Sequence, residues 1–192
     1  MEQDILGLFL PRVKEHFSIN QIATKLGKTY PYIHQTVQGL LERGILLATP
    51  VGRSHLCTLN LQSEECVAIL TLIELERTSR ALKKDRFLPA VVEAVRKANH
   101  GVRIWTTILV GDKVYTVVDD PRSESIVAIL GSIPYSNMQA LGIGSLSELL
   151  VGKDASFRED RVILQGFENY FMMLAGVEEQ LGMLYSPLGA RP

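Results

Sequence analysis

Between Lys28 and Gln38 the chain carries Tyr30, Tyr32, His34, Gln35 and Gln38, a concentration of aromatic and amide groups in eleven residues. Aromatic rings and imidazoles stack on sugars and bases, and an amide offers a donor and an acceptor side by side, the pair that reads an adenine edge. In the same stretch Ile33, Val37, Leu40 and Leu41 recur at three- and four-residue spacing, which predicts a helix with these four inward. Tyr32, His34, Gln35, Thr36 and Gln38 then face outward. A solvated helix face is commonly rich in Lys and Glu, so this one reads as a face built to enter a groove.

Other residue types that could do chemistry are not arranged for it. Asp119 and Asp120 are adjacent, so on a strand they point to opposite faces and share no metal; they read as a polar turn ahead of Pro121. Cys57 and Cys66 form no CxxC pair and have no His at metal-ligand spacing, as expected of two buried free thiols in a reducing compartment. The GIGS run at 142–145 is too short for a dinucleotide loop, and no serine lies in a nucleophile elbow. No catalytic residue, metal site or cofactor is expected.

The elements that must position the Lys28–Gln38 ridge can be read around it. Asp4 to His16 reads as a helix with Ile5, Leu8, Phe9 and Val13 on one face, kinked or divided at Pro11. Ser18 and Gln21 have capping-box spacing, and Ile19, Ile22, Ala23 and Leu26 give a short second helix up to Gly27. Thr29 can cap the third helix, Pro31 suits its first turn, and Gly44 stops it after Arg43. Ile45–Val51 and His55–Leu61 then read as strands joined by a tight Gly52-Arg53-Ser54 turn.

This order, carried by ATKLGKTYPYIHQTVQGLLERGIL and the GRS hairpin that follows, resembles the winged helix-turn-helix transcription regulators of prokaryotes, archaeal ones especially. It covers about a third of the chain. The resemblance implies that the third helix enters the major groove of double-stranded DNA and that the hairpin tip lies along phosphates or the minor groove. It assigns Tyr30, Tyr32, His34, Gln35 and Gln38 to the groove, and Lys28 and Arg53 to phosphates.

Charge is consistent with that placement but modest. The 192 residues carry a net charge of −1; positions 1–62 hold six Lys and Arg against four acids, and the remainder 14 against 17. A polyanion would meet the N-terminal part first. With 46% hydrophobic and 21% charged residues the composition is that of a globular protein. The longest apolar run, Cys66 to Ile73, is broken by Thr71 and falls short of the roughly 18 residues of a membrane span, so no membrane association is expected. Without a secretory signature at the start, the expected location is the cytoplasm.

Beyond residue 62, Ser63-Glu64-Glu65 opens a helix to about Lys84 whose apolar residues, Cys66 to Leu70, Leu72, Ile73 and Leu75, surround nearly its whole circumference. Such a helix lies under a second domain or pairs with its mate in a homodimer, the arrangement favoured here. Phe87–Asn99 reads as a further helix. Val102–Val110, Val114–Val118 and Ser125–Leu130 read as strands, and Asn137–Leu141, Ser145–Val151 and Gly166–Leu181 as helices. The expected fold class is α+β: a winged helix-turn-helix at 1–62, a helical linker or dimerisation region at 63–100, and a small α+β domain at 101–192 with a mixed or antiparallel sheet.

Within that last part, YTVVDD, IPYSNMQ and VILQGFENYFMML resemble segments of the minimal nucleotidyltransferase fold. An active member holds a triphosphate on a Gly-Ser turn and bridges two metal ions with carboxylates one residue apart. Gly111-Asp112 lacks the serine, and Gly131-Ser132 is followed by GIGSLSELLV where the carboxylate strand should stand, so the resemblance implies an inactive domain. The expected function is a sequence-specific, homodimeric DNA-binding transcription regulator whose C-terminal part serves assembly or senses a small-molecule effector. The alternatives are a nucleotidyltransferase-type enzyme fused to a winged helix and a winged-helix protein–protein interaction module.

Overall fold

Pro11 decides how the chain begins. Helix α1 (Glu2–Phe9) ends before it, the Leu10 amide bonds to the Gly7 carbonyl three residues back, and Leu10–Arg12 continue as a 3-10 turn. The stretch Asp4–His16 is therefore divided at Pro11, as its sequence suggested, because proline has no amide for the next helical bond and its ring crowds the preceding turn; no helix resumes between Val13 and His16. The computed structural model describes residues 1–177 apart from Arg53, His100 and Pro134. These residues divide into two units of a mixed α+β protein, one of 1–73 with 175–177 and the other Glu74–Leu174.

In the first unit a two-residue strand β1 (Phe17–Ser18) leads directly into α2 (Ile19–Leu26). The capping box is formed: Ser18 Oγ accepts from the Gln21 amide at 3.3 Å, and the Ser18 amide donates to Gln21 Oε1 at 2.8 Å. Gly27, at φ 62°, takes the left-handed conformation that ends α2. Helix α3 (Tyr30–Glu42) follows, then the hairpin of β2 (Leu46–Val51) and β3 (Ser54–Leu59), closed by the pair Val51–Ser54. Asn60 Nδ2 donates to the Gly44 carbonyl at 2.8 Å, which ties the far end of the hairpin back to the end of α3. The sheet runs β1-β3-β2, all antiparallel. Ile5, Leu6, Phe9, Ile22, Ile33, Val37, Leu40, Ile45 and Leu59 fill the core beneath it.

Helix α4 (Glu64–Lys84) crosses the division between the units. It does not bury its whole circumference, as its apolar content suggested: Cys66, Leu70, Glu74 and Thr78 form the buried stripe at four-residue spacing, while Ala68, Leu72 and Leu75 are exposed.

The second unit contains α5 (Leu88–Ala98) and a four-stranded sheet of order β6-β5-β4-β7, built from β4 (Ile104–Val110), β5 (Lys113–Val118), β6 (Met138–Gly142) and β7 (Val162–Gln165). The sheet is mixed, because β6 runs parallel to β5 while the other pairs are antiparallel. Two expected elements exchange type here. Ser125–Leu130, expected as a strand, lies in helix α6 (Glu124–Ser132), whose start is capped by Ser123 Oγ accepting from the Ile126 amide at 3.4 Å. Asn137–Leu141, expected as a helix, overlaps β6, because the exposed edge of β5 offers a ladder from Val114↔Met138 to Val118↔Gly142. Helices α7 (Ile143–Val151), α8 (Ser156–Glu159) and α9 (Phe167–Gly176) complete the unit; the expected last helix continues to Leu181, beyond the described residues. Gly166, at φ 70°, permits β7 to approach β4: a Cβ there would run into the Trp105 carbonyl and stand 2.8 Å from Thr106 Cα.

A buried ion pair lies inside this unit. Arg161 Nη2 stands 2.8 Å from Glu74 Oε1, and neither side chain has any solvent exposure. Arg77 reaches the same oxygen at 3.0 Å, and the Arg161 guanidinium lies 5.0 Å from the Tyr170 ring centre. Tyr170 donates its hydroxyl to the Phe157 carbonyl at 2.6 Å, and burial pushes its pKa up. Removing one charge strands the other in low dielectric, whereas removing both together relieves that penalty. We expect Glu74→Ala to lower the unfolding free energy by about 3 to 5 kcal/mol and the double change Glu74→Met with Arg161→Met to recover most of it, measured by urea denaturation.

Candidate functional site

The rotation of α3 is set by Ile33, Val37 and Leu40, which have no solvent exposure. At 100° per residue their stripe leaves three kinds of outward position. Tyr30, His34 and Gln38, four residues apart, lie on the flank that faces the hairpin, and Pro31 and Gln35 lie opposite the core. Tyr32 and Thr36 take the other flank, with the Thr36 hydroxyl donating to the Tyr32 carbonyl at 3.1 Å. Lys28 and Gln35 are exposed, Tyr30 and Tyr32 are each 48% exposed, and His34 and Gln38 are half-buried. Arg53, expected on phosphates, lies outside the described residues.

The structure brings Tyr30, His34 and Gln38 together in a cavity of about 570 Å³ with residues the sequence did not single out: Asn20, Ser54 and His55. The Tyr30 and His34 rings are 5.6 Å apart at 40°. Asn20 arrives from the first turn of α2, and Ser54 and His55 from the start of β3, where His55 pairs with Pro50. The sequence signal for Ser54 and His55 was the hairpin turn beside them, and Asn20 carried none; only the β1-β3-β2 sheet places the hairpin beside α3. Lys28, Tyr32 and Gln35 stand outside the cavity.

The N-terminal cations are not all directed outward. Arg43 donates to Glu2 at 2.7 Å and also pairs with Glu65, whose hydrogen bond drives the arginine pKa up and holds the Glu65 carboxyl below its usual range. Lys14 is buried, and that burial pulls its ammonium pKa down. Burial pushes the Cys66 thiol up to about 12 and raises that of Cys57, so both stay protonated and unreactive at neutral pH. In the second unit, Asp119 Oδ1 accepts from Trp105 Nε1 at 2.7 Å, and Asp120 Oδ1 accepts from the Arg122 amide at 3.0 Å, closing the turn before α6. Among the described residues no three His, Cys, Asp or Glu side chains cluster as a metal site, and no helix is long and apolar enough to cross a membrane.

Comparison of the chain with protein-family models, with curated proteins and with solved structures finds no match.

The first unit carries its own titration. Burial, then the neighbouring Lys14 ammonium, hold the His16 pKa below its ordinary value, so the folded state favours neutral imidazole. The unfolded chain binds that proton more readily, and stability is therefore complete above the ordinary histidine value and lost as pH falls below about 6.5. We expect His16→Gln to flatten the acid-side loss of stability between about pH 7 and about pH 5, read from urea midpoints across that range.

Proposed function

We propose that the chain is a sequence-specific DNA-binding transcription regulator of the winged helix-turn-helix type that acts as a homodimer, with its second unit serving assembly or sensing a small molecule. The observation that carries this reading is the exposed aromatic and amide ridge at the N-terminal half of α3, set between a capped α2 and a two-stranded hairpin. With 13 residues, α3 is about 20 Å long, and a helix of this kind fits the B-DNA major groove, which is roughly 12 Å wide. In this reading Tyr30, Tyr32, His34, Gln35 and Gln38 approach base edges and sugars, and Lys28 and Arg53 approach phosphates on either side. In the same reading Gln35, opposite the core stripe, meets an adenine edge with both amide atoms.

Two observations favour a pair of copies over one. Lys14 and Arg43 turn inward or into ion pairs, so one copy neutralises few phosphates, and two half-sites would be read together. On α4, Ala68, Leu72, Leu75 and Ser79 recur at four-, three- and four-residue intervals on an exposed face, the spacing of a helix-to-helix seam. Leu72 and Leu75 are 52% and 42% exposed, which is costly for two leucines facing water one turn apart. The sparse outward charge also suits a second reading, a winged-helix module that binds another protein.

Mobility shift of a randomised duplex pool over a salt series, followed by sequencing of the retained fraction, tests the reading. We expect Gln35→Ala to blur the selected sequence by about 1 to 3 kcal/mol at one base pair, and Arg53→Ala to weaken all sequences alike and flatten the salt slope. Retention that shows no sequence preference at any salt would remove the specific-regulator reading. For the pair, we expect Leu72→Arg to convert a dimer into a monomer in sedimentation equilibrium and to abolish two-fold symmetric sites, leaving the fold intact by circular dichroism.

A further inference from the structure

The second unit holds a cavity of about 730 Å³ at the junction of α5, α6 and β6, lined by Phe87, Leu130, Gly131, Ile133, Tyr135, Ser136 and Met138. That volume lies within the range of roughly 300 to 1,000 Å³ typical of small-molecule sites. Its walls are the aliphatic chains of Leu130 and Ile133, the soft thioether of Met138, and two aromatic rings. Phe87, just ahead of α5, keeps 51% of its surface exposed although Leu88 beside it is buried in the core. An exposed phenylalanine that lines a cavity of mixed polar and apolar surface offers a ring face to a ligand.

Two carboxylates and one guanidinium stand close to these two rings. Asp85 Oδ1 accepts from the Phe87 amide at 2.8 Å, and Asp112 Oδ2 accepts from Asn137 Nδ2 at 2.8 Å. The Asp112 carbonyl accepts from the Tyr135 hydroxyl at 3.2 Å. Burial raises the Tyr135 pKa, and the Asp85 and Asp112 carboxylates raise it further, so both carboxylates act on this hydroxyl and it stays neutral. Among the described residues neither aspartate has an ion-pair partner. The chain already places a cation on one of the rings: the Arg86 guanidinium lies 4.8 Å from the Phe87 ring centre. Aromatic faces attract cations through their quadrupole, and the attraction grows as the site is desolvated.

We propose that this cavity binds a small organic cation with an apolar body, its charge set over Phe87 and Tyr135 beside Asp85 and Asp112 and its body against Leu130, Ile133 and Met138. A neutral ligand would leave the two carboxylates unanswered, and an anion would be repelled by both. Arg86 competes for the Phe87 face, so a bound cation would displace it. The proposal rests on the sensing role given to the second unit above and names the class of effector, but its test involves no DNA, so failure of either leaves the other standing.

The test uses the full chain and two probes of the same shape and opposite charge, tetraphenylphosphonium and tetraphenylborate, in calorimetric titrations. We expect saturable one-to-one binding of the phosphonium, at least about tenfold tighter than the borate, since both carboxylates attract the cation and repel the anion. Phe87→Ala, a change at an exposed side chain, should weaken phosphonium binding by roughly fivefold or more, and Asp112→Asn should narrow the gap between the two probes. Arg86→Ala should tighten phosphonium binding. Equal affinity for the two probes, absence of saturation, or indifference to both Phe87→Ala and Met138→Ala would overturn the proposal. A shift of Phe87→Ala from dimer to monomer in sedimentation would overturn it too, by showing that a second copy covers the cavity.

Discussion

Three side chains without solvent exposure, Ile33, Val37 and Leu40, fix the rotation of α3 about its axis, and the rest of the first unit is arranged around that stripe. Their burial holds α3 against α2 and β2, where Ile22 and Leu46 are almost equally enclosed. Turning the helix by one residue would carry all three branched side chains off the core and bury polar ones in their place, His34 and Gln38 in one direction or Thr36 in the other, a loss of several kcal/mol. The positions of Tyr30, His34 and Gln38 on one flank and of Gln35 opposite the core therefore follow from apolar packing and not from any interaction of their own.

Electrostatics is arranged differently in the two units. In the first, Arg43 joins the start of α1 to the start of α4 through Glu2 and Glu65, an exposed link that contributes modestly and is weakened by salt. In the second, Glu74 and Arg161 are enclosed with Tyr170 packed on the guanidinium, so the pair supplies specificity of position more than net stability. Arg161 Nε and Nη1 find no hydrogen-bond partner among the described residues, which leaves this cluster sensitive to the loss of either charge.

Most of the first unit was legible in its sequence because its signals are local. Ser18 and Gln21 form the capping box that their spacing implies, Gly27 adopts the left-handed turn, and Gly52 at φ 61° opens the hairpin turn where GRS was read. The candidate ridge was legible for the same reason: helical period and residue type suffice to separate inward from outward positions. Its companions Asn20, Ser54 and His55 were not, since nothing near them in the chain says that the hairpin will stand beside α3. In the second unit the short apolar segments are ambiguous between helix and strand. Glu124–Ser132 is helical because Ser123 caps it, and Met138–Gly142 is extended because β5 offers an open edge; a two-residue strand such as β1 and a four-residue one such as β7 exist only through their partners.

The sequence by itself determined the local punctuation: where α2 and α3 start and stop, which of their faces is apolar, that a tight turn joins β2 to β3, and that Pro11 interrupts the first helix. Tertiary structure alone decided the strand order β1-β3-β2, the parallel addition of β6, the pairing of Glu74 with Arg161, and the grouping of Phe87, Tyr135 and Met138 around one cavity. The reason is range. Capping, turn and periodicity signals act over a few residues and are written in the chain, whereas ladders, buried charge pairs and cavities join residues dozens of positions apart and exist only once burial makes their contacts favourable.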